Sequence, residues 1–192
     1  MELQIIILAF AIIGAGLKYI DEAFDEEAFD KRWAAALATV LVVLWIGLSI
    51  LDAPSGTILL SILLGVLITG KIDNTVFGAS TAAIFSAFLF FQKIVPLIPI
   101  AMLTASGVLD EKGNDYVDAH GSNRFLRFFF LHRFTMKIGM LLLCLAGFFP
   151  LIYLAAFLFF DIAYDGVGLI SASKKIPSKG HLNEKTPLSI PV

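Results

Sequence analysis

The feature that most limits what this chain can fold into is an almost unbroken apolar run of 19 residues, 33–51, interrupted only by Thr39 and Ser49. A second run of the same character covers 148–162. At about 1.5 Å of rise per helical residue, runs near 20 residues match the hydrocarbon thickness of a bilayer, about 30 Å. A soluble fold would have to bury several such helices completely, and 192 residues supply too little polar surface to cover them. The chain is 58% hydrophobic and 16% charged, against roughly 45–50% and about 25% in soluble domains. The expected fold is an all-α integral membrane protein of the cell membrane, a compact bundle of five to six transmembrane helices.

Residues 3–17 form the first expected helix, continuing through Lys18 to Asp21. This segment lacks a basic n-region and a clear cleavage site, so it is expected to be retained. An acidic stretch, 22–32, carries apolar residues at amphipathic spacing and fits an interfacial turn. The second helix, 33–51, opens on the interfacial Trp33. Pro54 and Gly56 mark a tight turn, and 57–70 forms a short third helix that reaches Asp73 if Lys71 snorkels.

The segment 76–104 is too long for one ordinary span. Gln92 and Lys93 interrupt it, and Pro96 and Pro99 follow. It is either one Pro-broken helix or a re-entrant hairpin of a helix and a returning arm. A polar loop is expected at 105–123, then a fifth helix over 124–148, a turn at Phe149-Pro150 and a sixth helix over 151–170. The multi-pass unit therefore covers 1–172, and the polar, proline-containing tail, 173–192, is expected to be flexible.

Lysine and arginine concentrate in some connections and are absent from the 52–56 and 149–150 turns. With both bare turns outside, the acidic loop, the Lys71–Asn74 corner, the long polar loop and the tail all lie in the cytoplasm. That arrangement requires 76–104 to enter and leave on one side. Six full spans would instead separate Asp161 and Asp165 from the other aspartates.

Five aspartates stand where the apolar runs end: Asp21, Asp25, Asp73, Asp161 and Asp165. The Asp-x3-Asp spacing of two sets places both carboxylates on one helix face. Hard cations such as Mg²⁺ or Mn²⁺ take carboxylate oxygens, so these five are the candidate metal ligands. Arg124, Arg127, Arg133 and Lys137 lie among phenylalanines and are the candidate lipid-phosphate ligands. The expected function is a divalent-cation-dependent enzyme or binding protein for a phosphorylated prenyl lipid or phospholipid at the cytoplasmic interface. Alternatives are a small-solute transporter or channel with Gln92 and Lys93 on its path, and a non-enzymatic membrane subunit or scaffold.

Membrane lipids are the expected partners, with a homo-oligomer or a partner subunit also compatible. Nucleic acid is not, because the net charge is −2 and no basic tract occurs in the body of the chain. No haem, flavin or nucleotide signature occurs. Cys144 is the only cysteine and is expected to be a core residue. His120 and His132 have no partner at metal-ligand spacing. Residues 18–24 and 71–77 share a short Lys, Asp, Phe echo.

Overall fold

Helix formation follows the apolar runs but also extends beyond them. The computed structural model describes residues 3–72, 74–91, 95–121 and 123–175. All eight elements among them are helices: α1 (Leu3–Phe24), α2 (Lys31–Leu51), α3 (Ala53–Thr69), α4 (Thr75–Phe90), α5 (Leu97–His120), α6 (Arg124–Leu131), α7 (Phe134–Leu145) and α8 (Leu151–Lys175). Three of them, α1, α2 and α8, are long and apolar enough to cross a membrane. The bent pair α6 and α7 adds a fourth candidate span. The tail beyond 175, Asp73, Gln92 and Lys93 lie outside the described residues.

Short-range chemistry sets the helix boundaries. Asp30 caps α2 by accepting from the backbone N–H groups of Arg32 and Trp33. Asp52 alone separates α2 from α3, its carboxylate accepting from Ser55 N at 2.9 Å. Tyr153 Oη donates to the same carboxylate at 2.8 Å, which ties the start of α8 to the α2–α3 turn. Gly70 closes α3 in the left-handed conformation, with φ 73°. Asn74 opens α4 by accepting from Phe77 N.

Side-chain contacts fix the helix directions. Ser61 of α3 lies against Ile100 of α5, and Lys71 after α3 pairs with Asp115, so α3 and α5 run the same way. Phe77 packs near the beginning of α2, and Phe88 lies beside Ile46 and Ile50 near its end, so α4 runs parallel to α2. Gly14 meets Phe160 and Glu22 meets Ser171, which makes the first and last helices parallel. The α1–α2, α3–α4 and α5–α6 connections therefore gather at one end of the bundle, and the turns at Asp52 and Pro150 lie at the other with the ends of α4 and α5 that face each other in sequence. The segment 76–104 is a helix followed by a returning arm, since α4 and α5 run in opposite directions. Asp21 lies in the last turn of α1 and Asp161 midway along the parallel α8, both on the side of the core away from the Asp52 and Pro150 turns.

Two expectations change. The polar loop expected over 105–123 is mostly helix, because α5 continues to His120. Leu103, Ser106, Asp110 and Val117 form its buried stripe at helical spacing. The single fifth helix expected over 124–148 is two helices, bent by 58° at His132–Arg133. Arg133 there has a positive φ of 51°, which breaks the helical ladder.

Asp110, 1% exposed, stabilises the break. Its carboxylate accepts from Thr135 N at 3.0 Å and Met136 N at 2.8 Å, so it caps α7 from a neighbouring helix. Asp110→Ala leaves one buried and one partly buried amide without an acceptor. Hydrogen bonds to a charged group contribute about 1.5–3 kcal/mol, and a loss of that size is expected in denaturant unfolding in detergent, with Asp110→Asn recovering part of it. A variant within about 0.5 kcal/mol of the parent would remove Asp110 from this role.

The core joins Phe10 and Ile13 of α1, Trp45 of α2, Ile58 and Leu59 of α3, Leu103 of α5, Met140 of α7, and Phe157 and Phe160 of α8. The outward faces are apolar too. Leu8, Val43, Ile68, Leu142, Leu145, Phe159 and Ile162 are all exposed, and together they form a belt around the bundle.

Candidate functional site

Toward the end of the bundle opposite the Asp52 and Pro150 turns, four helices bring charged residues together around Tyr164 of α8. The Arg133 guanidinium lies over the Tyr164 ring at 4.4 Å from its centroid, and the Lys18 ammonium lies at 5.4 Å. Lys18, one turn before the end of the apolar part of α1, pairs with Asp21 at 2.7 Å and Glu22 at 2.9 Å. Glu22 is buried and accepts from Ser171 Oγ of α8. Gly168 leaves room for the Lys18 stem, which passes 3.4 Å from where a β-carbon would stand.

Asp161 faces the opposite side of this cluster. Its carboxylate is 2.8 Å from Lys137 Nζ and 3.6 Å from Arg133. Lys137 also donates to the His132 carbonyl, so one lysine bridges the α6–α7 bend and α8. Arg133 lies 3.8 Å from Glu111 of α5. Both of its carboxylate contacts exceed the usual hydrogen-bond range of about 2.7–3.2 Å, so the ion pairs hold this fork of donors loosely.

A cavity of about 290 Å³ opens beside this cluster. Asp21, Lys71, Glu111, Arg133 and Tyr164 form its polar part. Leu41, Trp45, Ile62, Ile84, Phe157 and Phe160 line the remainder among other mostly apolar side chains, with the hydroxyls of Ser80 and Thr81 on the α4 wall. From Ala38 to Trp45 it follows α2 for two turns, about 10 Å. Its size lies at the lower edge of ligand pockets, which span roughly 300–1,000 Å³.

The candidate metal ligands meet different fates. Asp21 pairs with Lys18, Asp161 with Lys137 and Arg133, and Asp165 with His132 Nδ1 at 3.1 Å. Asp25 follows the end of α1, its N–H donating to the Asp21 carbonyl, and Asp73 lies outside the described residues. No three histidine, cysteine, aspartate or glutamate side chains converge on a cation-sized space among the described residues. The physical reason is local: the chain's own cations reach Asp21 and Asp161 first.

The candidate phosphate ligands divide into two places. Arg133 and Lys137 belong to the central cluster, whereas Arg124 and Arg127 stand on the exposed surface of α6. Lys71, Glu111 and Tyr164 were not among the expected site residues. Lys71 had a visible signal, since a lysine directly after an apolar helix reaches toward the interface. Glu111 was hidden by reading its surroundings as a loop. The 18–24 and 71–77 echo has no common local structure, because α1 continues through its copy while Gly70 ends α3 before the other. Comparison with protein families, curated proteins and solved structures finds no match to this chain.

Proposed function

We propose that this is a membrane-embedded protein that binds an amphiphile with a phosphate-bearing head at the cytoplasmic interface. The observation that carries the proposal is the cavity: charged at the end where Arg133 and Lys71 stand, mostly apolar for the next 10 Å or so between α2, α3, α4 and α8. Such a space suits a lipid whose head meets the cations and whose hydrocarbon chain follows the apolar wall. Arg133 supports phosphate recognition because its planar fork matches phosphate oxygens and its carboxylate contacts are long. The exposed apolar belt and the spans α1, α2 and α8 support embedding.

Binding is the half of the expected activity that the geometry favours. Dependence on Mg²⁺ or Mn²⁺ is not part of the proposal, since Asp21, Asp161 and Asp165 each face a side chain that carries or can accept a positive charge. A transport path through Gln92 and Lys93 falls outside the described residues.

The protein purified in mild detergent is expected to retain a phosphorylated lipid, identified by native mass spectrometry. Arg133→Gln should lower its retention at least tenfold, the effect of losing about 1.5–3 kcal/mol from a charged hydrogen bond. Lys71→Gln, at a half-exposed position, is the variant least able to disturb folding, and it should lower retention as well. Equal lipid content in the parent and both variants would overturn the proposal.

A further inference from the structure

The geometry points to a second lipid contact, separate from the cavity: α6 lies in the interfacial layer of the membrane and gathers anionic phospholipid headgroups through Arg124 and Arg127. It rests on the embedding part of the function proposed above, but not on the occupancy of the cavity.

Three observations carry it. First, α6 is bent 58° away from α7 and lies along the last turns of α5, with Phe130 at Gly113 and Arg127 3.8 Å from Asp118. Second, none of its residues is buried, and Phe125, Phe128 and Leu131 are more than half exposed. Arg124 and Arg127 stand three residues apart on one side, and Phe125 and Phe128 likewise on an adjoining side. An isolated helix of eight residues is unstable in water. This one is held by Phe130, whose ring fills the space a β-carbon would take at Gly113 of α5. Third, α7, which follows α6 directly after the bend, exposes Ile138, Leu141, Leu142 and Leu145 at helical spacing, so an apolar face suited to lipid begins within two turns of α6.

The charge selects the occupant. Arg127 has its nearest carboxylate, Asp118, at 3.8 Å, with both side chains more than half exposed, so solvent screens the pair. Basic residues close to an anionic leaflet each contribute about a fivefold preference for anionic lipid. A short helix with aromatics beside two arginines is the form that interfacial helices take. A protein partner on this face would have to cover the arginines and leave the apolar face of α7 to lipid.

The test uses single-cysteine protein, Cys144→Ser, with a bimane fluorophore at Phe125→Cys and, as a second reporter, Leu131→Cys. Val43→Cys, on the outer face of α2, reports embedding alone. Each protein is reconstituted in vesicles of phosphatidylcholine with phosphatidylglycerol, with bromine on the chains of one lipid or the other. All three positions should be quenched. The α6 reporters should be quenched several-fold more by brominated phosphatidylglycerol at equal mole fraction. Arg124→Gln with Arg127→Gln should abolish that preference and leave the quenching at Val43→Cys unchanged. Quenching at Val43→Cys with none at α6 would overturn the interfacial placement. Equal quenching by both lipids, or a preference that survives the double substitution, would overturn the role of the arginines. Absence of quenching at Val43→Cys would instead overturn embedding itself.

Discussion

Gly14→Leu is expected to prevent α1 from docking on α8. A β-carbon at residue 14 would stand 2.2 Å from the Phe160 carbonyl oxygen and 2.9 Å from its carbon. Both are backbone atoms, so no side chain can swing aside, and the two helices must separate. Overpacking costs about 1–3 kcal/mol where neighbours can adjust, and here the obstacle is a helix. Gly14→Ala alone should destabilise by an amount in that range, although alanine favours helix over glycine by about 1 kcal/mol. Gly47 of α2 is the matched control, because a β-carbon there would meet nothing within 4 Å. Gly47→Ala should be neutral or stabilising. Unfolding in detergent distinguishes the two: if both alanine variants shift the midpoint in the same direction, close packing at Gly14 is not what holds α1 to α8.

Asp161→Asn is expected to have an effect at least as large. Lys137 and Arg133 are 19% and 24% exposed, and Asp161 is the carboxylate both approach. Glu111 still faces Arg133 in the variant, so Lys137 bears most of the loss, retaining the His132 carbonyl. Removing one member of a buried pair typically costs about 3–5 kcal/mol. Replacing both members, Asp161→Asn with Lys137→Met, should recover most of that, because no charge is then left without its partner. If the double variant is no more stable than Asp161→Asn, the single loss came from something other than the unpaired lysine.

Both predictions concern residues whose importance was unevenly visible in the sequence. Helix existence was legible wherever hydrophobicity ran unbroken, as in α1, α2 and α8. Charge bias left the direction reversal between α4 and α5 as one of two arrangements, the other being six full spans. The C-terminal half of α5 was not legible, since polar residues alone do not distinguish a loop from a helix with one buried stripe. Asp110 sits on that stripe and looked like one acid among several. The break at His132–Arg133 was equally hidden, because it depends on a left-handed arginine and on a carboxylate from another helix. Among the aspartates, sequence placed Asp21 in the last turn of its helix, but Asp161 lies mid-helix because α8 continues to Lys175. Sequence did not reveal that Lys18 and Lys137, each within reach of its own partner, meet them first.

The parallel pairing of α1 with α8 has a consequence for biogenesis. Among the described helices, α1 packs chiefly against α8, and the other six are all synthesised between the two. Until α8 arrives, Glu22 lacks the Ser171 hydroxyl, Lys18 lacks the Tyr164 ring, and the groove at Gly14 stands open. The charged cluster around Tyr164 is therefore incomplete until synthesis reaches α8.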